Sequence, residues 1–212
     1  DASGVRHRGH KMNGFRTGLG LALGTAIAVV ATPAAAQFSD GYNFLKAVRD
    51  KDVLKAKSLI DKPGSTIINA RDGDTGETAL MIAIRRRDTP WMGFLLQNGA
   101  DPNLRDREGN TPLGIAALNA FPDGVRVMIA AKAQVDGANS RGETPLIKAV
   151  QMRDALSVQY LLNAGADPDR TDNLAGMSAR DYAARDIRSG PIAKALAEAP
   201  KKGAKKSMGP SL

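Results

Sequence analysis

The chain of 212 residues contains no cysteine. Disulfide staples and thiolate metal sites are excluded, and disulfides say nothing of the redox compartment. Histidine occurs only as His7 and His10. Both lie in the first 36 residues, which read as a removable segment. Without that segment the chain has neither His nor Cys, and so lacks the commonest general base, zinc ligand and thiolate nucleophile. No glycine-rich phosphate loop is present. Aromatic residues make up only 4%, which suits a core of Leu, Ala, Val and Ile on thin helices. What remains for catalysis is carboxylates: Asp72/Asp74, Asp167/Asp169 and Asp181/Asp186. Asp72 and Asp74 flank Gly73 and read as a solvated hairpin tip rather than a weak cation site. Ser207 beside Lys205 and Lys206 sits in a tail that cannot preorganise chemistry. A non-catalytic protein without cofactor or metal is expected, and a carboxylate-based hydrolase is the weakest alternative.

The net charge of +8 is uneven. Residues 1–36 hold Arg6, Arg8, Lys11 and Arg16 against Asp1. Residues 200–212 hold Lys201, Lys202, Lys205 and Lys206 and no acid. The body between them is close to neutral, so the basic character belongs to the ends.

The body repeats itself. Gly76-Glu77-Thr78-Ala79-Leu80 returns as Gly109-Asn110-Thr111-Pro112-Leu113 and as Gly142-Glu143-Thr144-Pro145-Leu146. Each Leu is followed three residues later by Ala83, Ala116 or Ala149. A second signature keeps the same beat of 33 residues: Gly99-Ala100-Asp101-Pro102-Asn103, the degenerate Lys132-Ala133-Gln134-Val135-Asp136, and Gly165-Ala166-Asp167-Pro168-Asp169. A fixed period of this size signals a stacked array, and 33 residues around Thr-Pro-Leu-x-x-Ala resembles the ankyrin repeat. The resemblance implies an all-α solenoid of about five helix–turn–helix units with projecting loops. The domain spans 38–199, with units at about 41–71, 72–104, 105–137, 138–171 and 172–199. Where the family usually has His after Thr-Pro-Leu, this chain has Met81, Gly114 and Ile147. The polar links made by that His are expected to be missing, with apolar contact in their place at 81 and 147.

Ahead of the array, a basic lead from Arg6 to Arg16, an apolar run from Thr17 to Thr32 and Ala34-Ala35-Ala36 read as a secretory signal peptide cut after Ala36. Met12 is a plausible start. An uncleaved anchor is the alternative, although the run is shorter than the roughly 20 residues that span a bilayer. Export is therefore expected, to the periplasm in a Gram-negative cell. Residues 200–212 have little to bury and read as disordered.

Within the units, Thr78 opens a first helix carrying Leu80, Ala83 and Ile84. Asp88 or Thr89 caps a second, with Pro90 at its first position and Gly99 at its end. Lys132 replaces that glycine in the third unit, so strain is expected there. In the first unit, Phe44, Leu45, Ala47 and Val48 form one apolar face, and Val53, Leu54, Ala56, Leu59 and Ile60 a second. Trp91 reads as packing.

The resemblance also implies where a partner would dock: on the loop tips and the exposed side of each first helix. The matching positions are Asp74, Thr75, Glu77, Arg85, Arg86 and Arg105 in the second unit. The third supplies Arg107, Glu108, Asn110, Leu118 and Asn119. The fourth supplies Ser140, Arg141, Glu143, Gln151 and Met152. Together they form a ladder on one concave face, basic around Arg85-Arg86-Arg87 and less polar at Leu118 and Met152. The expected partner is a folded protein with acidic features, met by a monomer. Nucleic acid is not expected, and the Lys tail offers only weak, salt-sensitive contact with an anionic membrane.

Overall fold

The computed structural model describes residues 33–188 and 190–200, with side chains from residue 40 onward. Among them ten α-helices follow in order: α1 Pro33–Asp50, α2 Val53–Ile60, α3 Ala79–Arg85, α4 Thr89–Gln97, α5 Pro112–Leu118, α6 Pro122–Ala130, α7 Pro145–Gln151, α8 Ala155–Asn163, α9 Ala179–Arg185 and α10 Gly190–Glu198. A 3-10 turn at Ile67–Asn69 precedes the second pair. Residues 1–32 and 201–212, which carry most of the expected presequence and tail, lie outside the described residues. Pro33 to Ala36 form the first turn of α1.

The helices pair as α1·α2, α3·α4, α5·α6, α7·α8 and α9·α10. Each first helix also packs on the first helix of the next pair, and α4, α6, α8 and α10 follow suit. This is the all-α solenoid of five units that the period predicts.

The first helices α3, α5, α7 and α9 are seven residues long, too short to persist alone in water. Packing on both sides sustains them. Every residue from Ala79 to Ile84, Pro112 to Ala117 and Pro145 to Val150 is buried. Thr78, Thr111, Thr144 and Ser178 cap them, each hydroxyl accepting the backbone N–H three residues on. Ala83, Ala116 and Ala149 are buried in one row, where a longer side chain would overpack the seam.

Within the first four pairs the chain turns through a left-handed residue: Lys51, Arg87, Ala120 or Arg153. The following amide reaches back to the carbonyl five residues earlier, as Asp88 does to Ala83 and Asp154 to Ala149. This satisfies carbonyls that a helix end leaves orphaned. The second helices α4, α6 and α8 end the same way at Gly99, Lys132 and Gly165, with φ of 86°, 61° and 87°. Lys132 therefore sits in the strained conformation that its sequence position predicts. Asp88 caps α4, with Pro90 one residue later than expected because Thr89 is the first helical residue.

Behind the first helices, Met92, Val125 and Val158 form one fully buried row and Leu95, Met128 and Leu161 another. Trp91 packs edge-on against Phe94, ring centres 5.3 Å apart. The first unit departs from its reading. Phe44, Leu45, Ala47, Val48, Ala56 and Leu59 are buried, but Val53 is 45% and Leu54 83% exposed. Helical spacing identifies a face, but only a neighbour covers it, and α2 packs chiefly on α1 and the 3-10 turn.

Candidate functional site

Ahead of each of α3, α5, α7 and α9 the chain forms a tight loop organised by one residue: Asp72, Asp106, Asn139 or Asp172. Its amide donates across the loop, to Glu77, Asn110, Glu143 or Met177 respectively. Its side-chain oxygen gathers the loop amides. Asp72 Oδ1 accepts from Asp74 and Thr75, and Asp172 Oδ1 from Leu174, Ala175 and Gly176. These N–H donors, with the Arg49 guanidinium at 2.6 Å from Oδ2, hold the Asp72 carboxyl far below the ordinary carboxylate range. At Asp172 burial opposes ionisation, but the Tyr182 hydroxyl and the loop amides outweigh it, and its pKa is lowered. The loops at 72 and 172 hold one residue more than the two between them and close with the bridges Arg71–Thr78 and Thr171–Ser178.

The loops stack through their backbones. The amide after each organising residue donates to the preceding loop: Arg107 to the Thr75 carbonyl at 3.0 Å, Ser140 to Glu108 at 3.1 Å and Asn173 to Arg141 at 2.8 Å. A second ladder runs beside it. The side chains of Asn69, Asn103 and Asp136 accept the amides of Asp101, Gln134 and Asp167 in the next unit, at 2.9, 2.7 and 2.9 Å. The last residue of the second sequence signature is thus a link between units.

Arginines bind the rest. Arg71 donates to the Arg105 carbonyl, Arg105 to Ala138 and Arg107 to Gly73. The cluster Arg85-Arg86-Arg87 is largely engaged inside the array, contrary to the free cationic patch expected. Arg85 pairs with Glu77. Arg86 is half-buried and gives two 2.8 Å hydrogen bonds to the Val48 and Arg49 carbonyls at the end of α1. Arg87 reaches the Asn119 and Ala120 carbonyls, and its guanidinium lies 5.6 Å from the centre of the Phe121 ring.

Most remaining expected contact residues are placed together along the loop tips. Asp74, Thr75, Arg105, Arg107, Glu108, Ser140 and Arg141 are exposed. Leu118, Asn119 and Gln151 are half-buried at the far ends of α5 and α7, and Met152 is exposed there. Asn110 is not on this surface: it is 3% exposed. Glu77 and Glu143, at the same register, turn inward too, with side chains 15% and 12% exposed. The residue before the capping Thr points across the loop, not out of it.

Asn110 belongs to a buried polar network that the sequence reading did not find. Its amide nitrogen donates to Asp106 at 2.9 Å and its oxygen accepts from Asn139 and from Lys148 Nζ at 2.7 Å. Lys148 is 1% exposed, with Glu143 4.0 Å away. Burial pushes its pKa down, and the Glu143 charge only partly offsets this. Burial also disfavours the Glu143 carboxylate, but hydrogen bonds from Asn139 and Arg141 prevail and lower its pKa. Lys148 occupies the helical position held by Ile82 and Ile115 in the neighbouring units, and a cation in that apolar row was the available signal. The links of the family's His are missing as expected, with Met81 and Ile147 buried, and the fourth unit alone makes a buried polar link one residue further on, through Lys148.

The carboxylates weighed for catalysis, apart from exposed Asp74, have structural partners. Asp72 organises its loop, Asp167 accepts the Asp169 amide at 3.0 Å, Asp181 completes a capping box with Ser178, and Asp186 pairs with Arg153 at 2.5 Å.

The family model for Ankyrin repeats (3 copies) matches residues 90–172. Among curated relatives, human Ankyrin repeat domain-containing protein 63 is 30% identical over 149 residues, covering 66% of this chain and 39% of that protein. Neurogenic locus notch homolog protein 1 of Danio rerio is 38% identical over 123 residues, covering 57% of this chain and 5% of that protein. The chain spans well under half the length of either relative.

Proposed function

The units of this chain are ankyrin repeats, repeats that generally mediate protein–protein interaction, and on that premise we propose that the protein is a non-catalytic docking scaffold. Its partner is a folded protein, and the docking surface is the row of exposed loop tips at Asp74, Thr75, Arg105, Arg107, Glu108, Ser140 and Arg141. One observation carries this reading: backbone hydrogen bonds between successive loops fix those tips relative to one another. A prealigned surface loses little entropy on binding. The guanidiniums at the tips keep donors beyond those spent on carbonyls, so acidic side chains of the partner suit them. The protein acts as a monomer, without cofactor or metal.

The place of action follows from the basic, apolar and small-residue order of residues 1–36. It puts the protein outside the cytoplasm, as an exported bacterial member of the family, in the periplasm of a Gram-negative cell. Contact of the Lys tail with anionic lipid is a secondary, salt-sensitive attraction.

A photo-crosslinking residue at 107 or at 140 in intact cells tests the docking face. The same protein partner should be captured from both positions and not from Gln97 on α4. Capture from 97 alone, or none from the tips, overturns the face. Fractionation of the same cells tests export.

A further inference from the structure

A cationic cluster spans the Asp72 and Asp106 loops. Asp106 is buried between exposed Arg105 and Arg107, so both arginine side chains leave the loop on its outer side. Arg71 stands ahead of Asp72 as Arg105 stands ahead of Asp106. Arg71 reaches forward to the Arg105 carbonyl, and Arg107 reaches back to the Gly73 carbonyl. Both guanidiniums therefore lie over the gap between the two loops. Arg105 reaches on to the Gly109 and Ala138 carbonyls.

None of these three guanidiniums is ion-paired among the described residues. Arg49, Arg85, Arg141, Arg153 and Arg180, by contrast, each pair with a carboxylate. A carbonyl accepts a hydrogen bond but carries no net charge, so it fixes a guanidinium without neutralising it. Each of the three spends one nitrogen on carbonyls and keeps other donors of its five. Cations held on adjacent loops repel one another, and a bound anion relieves that repulsion.

We propose that Arg71, Arg105 and Arg107 form a binding site for a carboxylate pair of a protein partner, an Asp-x-Asp or Glu-x-Glu stretch. In an extended segment residues i and i+2 face the same side, so one such pair meets two guanidiniums while the residue between them faces away. The site rests on the loop-tip reading and deepens it: the charge recognition of that face concentrates at the second and third units and includes Arg71. Arg141, already paired with Glu143 at 2.9 Å, contributes little. Exposed Asp74 and Glu108 project from the same two loops. A continuous polyanion such as nucleic acid would meet both as like charges, which a short carboxylate pair avoids.

The probe is the peptide acetyl-Gly-Asp-Gly-Asp-Gly-amide, titrated at low salt into the full ¹⁵N-labelled chain while the arginine Nε–H signals are followed. Its Asn-for-Asp analogue, inorganic phosphate and a single-stranded DNA oligonucleotide are the comparisons. The signals of Arg71, Arg105 and Arg107 should move with the acidic peptide, and that of Arg141 should stay. Arg71→Gln, Arg105→Gln and Arg107→Gln should each weaken peptide binding by about five-fold, and Arg141→Gln by less than about two-fold. If one of the first three does not fold, the other two decide. No binding, equal binding of the Asn analogue, equal losses at Arg71 and Arg141, or tighter binding of phosphate or the oligonucleotide would each overturn the assignment. The loop-tip face fails separately. Capture from position 140 that survives Arg71→Gln and Arg105→Gln keeps the face and removes this site. Peptide binding with no capture from the tips removes the face and keeps the site.

Discussion

A Cβ placed on Gly109 would stand 2.8 Å from the Ser140 amide nitrogen. The same amide donates to the Glu108 carbonyl, so loop and neighbour are locked at a distance only glycine allows. Gly109 also has φ of 79°, a conformation costly for any side chain. Gly109→Ala should therefore lose about 2–4 kcal/mol, combining backbone strain with disruption of the interloop bond. Urea unfolding measures this. A loss below about 1 kcal/mol would mean that the loops separate without cost.

The strained turns offer the opposite experiment. Lys132 adopts φ of 61° where Gly99 and Gly165 end the equivalent helices of the neighbouring units, and Ala120 adopts φ of 45° in the turn after α5. Lys132→Gly and Ala120→Gly relieve that strain at some cost in unfolded-chain entropy. Each should gain about 0.5–1 kcal/mol and raise the melting temperature by roughly 2–4 °C. Calorimetry checks both, and a fall in either would locate hidden contacts at that side chain.

The period was legible because each unit meets its neighbours with the same residues: the capping Thr, the left-handed Gly, the seam Ala and the linking Asn or Asp recur together. Partners specific to one unit were not. Consecutive arginines at 85–87 read as a solvated or docking cluster, since a sequence does not reveal which carbonyls α1 leaves orphaned. Asn110 sits between motif residues and varies with Glu77 and Glu143, which suggested a surface. In the fold that position turns inward, and its variation reflects a different partner in each unit. Val53 and Leu54 share a period with Ala56 and Leu59, but the array ends beside them.

Arg86 separates structural from docking arginines. It supplies the hydrogen bonds that close α1, so Arg86→Ala should cost about 1–3 kcal/mol. Exposed Arg85, in a surface pair with Glu77, should cost about 1 kcal/mol or less when changed to Ala. Hydrogen exchange in α1 should accelerate in the first variant and not in the second. Equal effects would show that Arg86 does not hold α1 in solution.

Lys148 makes the sharpest pH prediction. Its pKa in the folded chain is depressed below the ordinary 10.5. Between those two values the unfolded chain binds more protons than the folded one, so this residue makes stability rise with pH. Below the folded value the full penalty of burying the cation is present. Lys148→Ile, the residue already found at 82 and 115, removes that penalty. Asn110 keeps its bonds to Asp106 and Asn139, and Glu143 keeps Arg141, so no buried charge is stranded. The variant should be as stable as the parent or up to about 2 kcal/mol more so at pH 7. Its advantage should shrink through the alkaline range as the parent's lysine discharges. Urea unfolding at neutral and alkaline pH tests this. A large loss at neutral pH, undiminished at high pH, would mean that the lysine bond to Asn110 holds the third and fourth units together.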